Sequence, residues 1–314
     1  MKIYIAGHRG LVGSALVRAI EFSGNSQWIG KASSDLNLLN RQSVFEFLGD
    51  EKPDAVIMAA AKVGGIKSNS DFPVEFLTEN LQMQSNVIDG AHKFGIKKLV
   101  FLGSSCIYPK LSKQPIKEEY LLTGPLEPTN EPYAIAKIAG LKLIQAYRKE
   151  YGHNWISAMP TNIYGPHDNF DLNLSHVLPA LIRKFHEAKV ANSSSVELWG
   201  TGTPRREFLH SDDLARAILF LIDNYNDATP INIGAGTDIS IADLAVMIGK
   251  VVGFSGRIFW NTSMPDGTPK KLLDCSKLNE LGWKPMVELL TGINETYDWF
   301  LSNEQNGINP AVDL

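Results

Sequence analysis

The glycines at Gly7, Gly10 and Gly13 constrain this chain more than any other feature, because they sit where a strand gives way to a helix. Lys2–Ala6 reads as a strand, and Leu11–Phe22 has helical periodicity with Leu11, Ala15 and Ala19 on one face. The turn between them is Gly7-His8-Arg9-Gly10-Leu11-Val12-Gly13. Residues without a Cβ permit the tight turn, the close approach of an anion to the backbone, and the close packing of helix on strand. The helix start then offers free N–H groups to that anion. The spacing is GxxGxxG, which a plain glycine-rich turn also satisfies. The strand–turn–helix context is what makes it a dinucleotide loop.

Further along, β-rich runs alternate with helical patterns. Gln27–Lys31, Asp54–Ala61, Lys97–Ser105 and Trp155–Thr161 read as strands, and Phe72–Phe94 and Tyr133–Tyr151 as long helices; a short helix around Ser43–Leu48 ends at Pro53. Continuous apolar strands alternating with helices predict an α/β fold, a doubly wound parallel sheet of Rossmann-like type. After Tyr164-Gly165-Pro166 the elements become shorter and mixed, with helices near His176–Ala188, Asp212–Asn224, Ile241–Val252 and Ile293–Leu301 and strands at Val196–Gly200 and Ile231–Gly234. The expectation is a nucleotide-binding domain over 1–165 and a smaller, mixed α/β substrate domain over 166–314, with some segments crossing back.

The chain has 30 Lys plus Arg against 34 Asp plus Glu, a balance without the basic excess that a nucleic-acid groove or an anionic membrane surface requires. Two cysteines, Cys106 and Cys275, are too few for a disulfide framework or a multi-thiolate zinc site, so no metal is expected. No apolar run approaches a bilayer span, and the first residues leave no room for a signal sequence. A cytoplasmic protein is expected.

Two groups of residues carry chemistry. NAD-binding folds usually place an acid after the second strand to accept the ribose 2′-OH, whereas Trp28–Ser34 contains none before Asp35. Arg9 and Lys31 could instead meet a 2′-phosphate, which favours NADP, although both could equally be solvated side chains. The second group joins Ser104 to Tyr133-Ala134-Ile135-Ala136-Lys137. A Tyr and a Lys four apart share a helix face. A phenol exchanges protons near neutrality only when a cation stabilises its anion, and Lys137 supplies one. Ser104, at a strand end, could hydrogen-bond the reacting oxygen.

These features together resemble the extended short-chain dehydrogenase/reductase superfamily. Further blocks are similar to its GDP-sugar epimerase–reductases: Ala6–Gly13, Ala59–Ile66, Leu102–Lys113, Glu127–Gly140, Pro160–Phe170, Gly200–Asp213 and Pro265–Asp274. They span nearly the whole chain. The resemblance implies conversion of GDP-4-keto-6-deoxy-D-mannose to GDP-L-fucose by epimerisation at C3 and C5 and NADPH-dependent reduction at C4. It implies Ser104, Tyr133 and Lys137 for the reduction, Cys106 as the epimerisation base and His176 as its acid. From the residues alone, Cys106 could be a small buried side chain and His176 an ordinary helix-start residue.

For the cofactor the resemblance implies the Gly7–Gly13 loop, the segment Ser33, Ser34, Asp35, Leu36, Asn37 and Leu38, the strand end Leu102, Gly103, Ser104 and Ser105, then Lys137, Pro160, Thr161, Asn162, Ile163 and His176. Ser33 departs from the family pattern, which carries an arginine there, so the phosphate grip rests on Arg9 and Lys31. For the GDP-sugar it implies Asn162, Lys184, Trp199, Arg206, Asp266 and Lys271. Read without it, Trp199 could be core packing and the cations surface charges. A homodimer through Phe72–Phe94 and Tyr133–Tyr151 is also implied. The rival readings are a GDP-colitose synthase type, an NAD-recycling 4-epimerase or dehydratase, and a non-enzymatic dinucleotide-binding scaffold. The thiol beside Ser104 speaks against the 4-epimerase, and the intact Tyr–Lys pair against the scaffold.

Overall fold

The computed structural model describes residues 1–264 and 266–305. Pro265, in one of the blocks above, and residues 306–314, the end of the expected second domain, lie outside the described residues. The chain opens with β1 (Lys2–Ala6), α1 (Leu11–Ser23), β2 (Gln27–Ile29), α2 (Arg41–Glu51) and β3 (Ala55–Met58). It continues through α3 (Ile66–Asp71), α4 (Pro73–Lys93), β4 (Lys98–Leu102), α5 (Glu131–Tyr151) and β5 (Asn154–Pro160). Then come β6 (Asn162–Tyr164), α6 (Val177–Val190), β7 (Ser195–Trp199), β8 (Arg205–Arg206), β9 (Phe208–His210), α7 (Ser211–Asn224) and β10 (Ile231–Ile233). The described chain closes with β11 (Ile239–Ser240), α8 (Ile241–Val252), β12 (Arg257–Asn261), β13 (Lys270–Lys271), α9 (Ser276–Glu280) and α10 (Leu289–Gln305).

Six strands form one parallel sheet in the order β2-β1-β3-β4-β5-β10, so the fold is the doubly wound α/β sheet expected. All four residues of β3 are buried, as a strand covered on both faces must be. One apolar layer joins Ile5, Ile57, Val100 and Ile156 of the sheet to Leu16 and Ile20 of α1 and Leu214, Ile218 and Leu221 of α7. On the other face Tyr4, Val56, Leu99 and Phe101 pack with Val44 and Leu48 of α2, Val87 of α4 and Leu141 and Ile144 of α5. Burying a side chain of this kind contributes about 1.5–3 kcal/mol, which makes these layers the main source of stability. The buried stripe of α1 runs through Ala15, Leu16 and Ile20. It is rotated from the expected Leu11, Ala15 and Ala19 because α7 as well as the sheet packs against this helix.

The order of the sheet reverses between β1 and β3, and ligands bind outside the carboxyl ends of strands at such a switch point. The third core cluster joins Leu178, Ile182 and Phe185 of α6 to Leu244 and Ile248 of α8 and Ile293 and Tyr297 of α10. This smaller unit also carries the parallel pair β7–β12 and the sheet β11-β8-β13. Between its segments the chain returns to the large sheet, where α7 packs on α1 and β10 pairs with β5. No helix among the described residues is long and apolar enough to cross a membrane.

Candidate active site

The carboxyl ends of β1, β4 and β5 deliver the three loops that the sequence singles out. Gly7 has φ +84°, a conformation that L side chains rarely adopt, and an alanine methyl at Gly13 would lie 2.0 Å from the Gly7 carbonyl oxygen. No side chain caps α1 and its first turn holds no acid, so nothing of the protein's own competes for an anion at that helix start. His8 stacks on Trp28 at 5.7 Å between ring centroids, and its buried Nδ1 has no hydrogen-bond partner. Burial, and then the charge of Arg9, lower its imidazole pKa. Arg9 is exposed and makes no hydrogen bond or ion pair with any described residue. This open cradle fits a dinucleotide.

Beyond β2 the backbone turns tightly, with Asp35 and Leu36 N–H groups both donating to the Ala32 carbonyl. Leu36 is buried in the core, Ser33, Ser34, Asp35 and Asn37 are exposed, and Asn86 donates to the carbonyl of Leu38. Lys31 is exposed beside this turn. Leu102, Gly103 and Ser105 are likewise buried, so in this stretch Ser104 and Cys106 are the residues left partly accessible. At the end of β5, Pro160 is buried, Thr161 and Asn162 both donate to the Glu207 carbonyl, and Ile163 pairs in register with Leu209.

Ser104 leads a single 3-10 turn over Ser105–Ile107 and its Oγ accepts the Cys106 N–H at 3.2 Å. On α5, Tyr133 stands close to the Ser104 hydroxyl. Burial first, and then the charge of Cys106 when ionised, raise the phenol pKa, while the Ser104 hydroxyl opposes them. Lys137 lies buried below, its Nζ donating to the Leu102 carbonyl at 2.8 Å and lying 5.8 Å from the Tyr133 ring centre. Burial pushes its ammonium pKa down to about 8. Ser104, Tyr133 and Lys137 therefore lie close together beyond the end of β4.

Cys106 receives two donors. Asn130 Nδ2 lies 3.3 Å and Lys271 Nζ 3.6 Å from its sulfur. Lys271 comes from the other unit, where β8 and β13 pair in parallel with Lys271 opposite Arg206 and Lys270 opposite Arg205. Residues in register share a face, so Arg206 and Lys271 turn together toward Cys106, while Arg205 and Lys270 are both ion-paired to Asp238 behind them. Burial lowers the Arg206 pKa, opposed by the charges of Cys106, Glu127 and Asp266. His176 is the last residue before α6; crowding around its imidazole, and then the charge of Lys271, lower its pKa. Lys271 thus stands at the Cys106 sulfur, and its charge is also felt at His176.

The remaining sites lie farther out. Lys184 Nζ sits 5.3 Å over the Trp199 ring, which is 47% exposed and therefore not core packing. Asp266 accepts the Thr201 N–H at 2.7 Å and the Thr201 hydroxyl at 2.8 Å. Cys275 is buried, and burial pushes its thiol pKa up. Sequence reasoning missed Asn130, although Asn130 and Pro132 are helix-start signals three and one residues before Tyr133. It also missed Glu207, a buried carboxylate that accepts the N–H groups of Gly236 and Leu273 and ties the small unit to the end of the large sheet.

The family model described as NAD dependent epimerase/dehydratase family matches residues 3–234, and the chain belongs to that family. Within it, the chain is 55% identical over 303 residues to a probable GDP-L-fucose synthase 1 of Oryza sativa subsp. japonica, covering 96% of this chain and 92% of the relative. A GDP-L-colitose synthase of Yersinia pseudotuberculosis is 40% identical over 308 residues, covering 98% of this chain and all of the relative. Among solved structures, a GDP-6-OMe-4-keto-L-xylo-heptose reductase from C. jejuni superposes with TM-score 0.91 at 40% identity, covering 96% of this chain and 98% of that one. A GDP-L-fucose synthetase from Naegleria fowleri bound to NADP superposes with TM-score 0.89 at 30% identity, covering 97% and 95%.

Proposed function

We propose that this enzyme converts GDP-4-keto-6-deoxy-D-mannose to GDP-L-fucose with NADPH, by epimerisation at C3 and C5 and reduction at C4. The observation that carries this reading is the convergence of two separate sets of groups on one cleft. Ser104, Tyr133 and Lys137 form one set; Cys106, with Asn130 and Lys271 at its sulfur, forms the other, and we assign His176, whose imidazole feels the Lys271 charge, to that second set. The colitose reading shares these motifs, but its relative is 40% identical where the fucose relative is 55%.

The C4 ketone acidifies the protons on C3 and C5. In our assignment the Cys106 thiolate takes such a proton and His176 returns one on the opposite face. Desolvation, and then the charge of Lys271, bias His176 toward its neutral form, and the diphosphate of a substrate set against Lys271 and Arg206 would offset the Lys271 part of that bias. NADPH, when bound, supplies the hydride for C4. Tyr133 protonates the C4 oxygen, Ser104 hydrogen-bonds that oxygen, and Lys137 stabilises the phenolate left behind. The Gly7–Gly13 loop with His8 would hold the pyrophosphate side of the cofactor. Arg9 and Lys31 would hold the 2′-phosphate beside Ser33–Leu38, with Gly103, Ser105 and Pro160–Ile163 lining the nicotinamide end. Asn162, Lys184, Trp199, Arg206, Asp266 and Lys271 are assigned to the GDP-sugar.

Purified enzyme is expected to consume NADPH when given GDP-4-keto-6-deoxy-D-mannose and not when given UDP-glucose; consumption with neither would reject the assignment. Gly13→Ala is expected to cost about 1–3 kcal/mol of stability by overpacking and to weaken NADPH binding. Thermal unfolding and a fluorescence titration with NADPH check both effects. We place the enzyme in the cytoplasm, whose reducing conditions keep the Cys106 thiol available. We also propose a homodimer through α4 and α5, supported by the exposed apolar side chains Val74, Ile135 and Tyr151 on these adjacent helices.

A further inference from the structure

Glu127 belongs to neither set of reacting groups, yet it stands where several segments of the cleft meet. Its side chain is only 14% exposed and its Oε2 pairs with Lys110 Nζ at 2.9 Å. Lys110 follows four residues after Cys106 on the same connection. The same Oε2 accepts a long bond of 3.4 Å from the Thr268 hydroxyl, in the segment between Asp266 and Lys271. Glu127 Oε1 accepts the Thr129 hydroxyl at 3.4 Å, and the Glu127 carbonyl accepts the Asn130 N–H at 3.2 Å. That last bond closes the 3-10 turn Pro128–Asn130, which presents Asn130 to the Cys106 sulfur and starts the helix bearing Tyr133. Burial works against ionising Glu127, but Lys110 and then Thr129 more than offset it and hold the carboxyl below its ordinary range. Arg206 also feels this charge.

We infer that Glu127 is a positioning residue for the epimerisation half of the reaction: it ties the Thr268–Lys271 segment of the small unit to the turn that aims Asn130 at Cys106. A half-buried carboxylate with an ammonium on one side and the hydroxyls of Thr129 and Thr268 on the other fixes their mutual placement. Seating a GDP-sugar against Lys271 and Arg206 then acts on the same segment that Glu127 holds, so substrate binding and the alignment of Cys106 are joined. The inference deepens the epimerase–reductase reading and rests on it.

The test measures deuterium exchange into GDP-4-keto-6-deoxy-D-mannose in D₂O without NADPH, alongside reduction and NADPH affinity, for wild type, Glu127→Gln and Thr268→Val. Misplacing a reacting group by a fraction of an ångström to an ångström predicts exchange slower by about tenfold to a hundredfold in Glu127→Gln, with a raised KM for the GDP-sugar. NADPH affinity should stay within about twofold, because the Gly7–Gly13 loop is untouched. Glu127→Asp should recover part of the exchange. The Thr268→Val effect should be smaller, and absent in the Glu127→Gln background, since the two residues share one bond. Unchanged exchange in Glu127→Gln overturns the inference. So does an equal fall of exchange, reduction and NADPH affinity, which marks a merely structural residue. If Glu127→Gln does not fold, Lys110→Met and Thr268→Val decide by the same ratio of exchange to NADPH affinity. Wild type that fails to exchange at all rejects the parent reading and this inference with it.

Discussion

Cys106→Ser is expected to slow solvent-deuterium exchange at C3 and C5 by about 10²–10⁴, the usual worth of a positioned proton-transfer group. Serine keeps the shape of the side chain and still offers Asn130 and Lys271 an acceptor, so the cleft stays assembled. What it loses is the thiol, and a hydroxyl ionises far less readily than a thiol. NADPH binding should be unaffected, since the glycine loop and the end of β5 make no contact with the sulfur. Exchange at the wild-type rate in Cys106→Ser would remove Cys106 from the mechanism.

Tyr133→Phe should produce the opposite pattern. The C4 oxygen loses its proton donor, and reduction should fall by a comparable factor of about 10²–10⁴, while exchange at C3 and C5 continues. Lys137 and Ser104 stay in place: Lys137 is held by the Leu102 carbonyl and Ser104 by its own turn, neither of which depends on the phenol. Stopped-flow absorbance of NADPH and mass spectrometry of the recovered sugar nucleotide separate the two effects. Equal loss of both activities would show that the two tasks share Tyr133.

The strands β1, β3, β4 and β5 were legible because each is a run of apolar residues buried on both faces, and the helices between them carry a clear period. The short strands β8, β11 and β13 have two residues each, too few for any period, and are created by pairing between distant segments. Arg206 and Lys271 were therefore visible as candidate cations but not as register partners, 65 positions apart, that face Cys106 together. Asn130 escaped because the helical period begins at Tyr133, while the helix itself begins at Glu131 behind Pro132. Glu127 escaped for a different reason. Its importance lies in joining Lys110 to Thr268, and no local pattern around a carboxylate reveals partners 17 positions before it and 141 after it.

In the proposed reaction one set of neighbouring side chains performs both proton exchange at carbon and reduction of the ketone. Mass spectrometry and NMR of the GDP-sugar formed in D₂O with NADPH test it directly. Deuterium at C3 and at C5, an L-configured product and one NADPH consumed per molecule formed are expected. Product reduced at C4 but free of deuterium at both carbons would contradict the claim and leave a simple reductase.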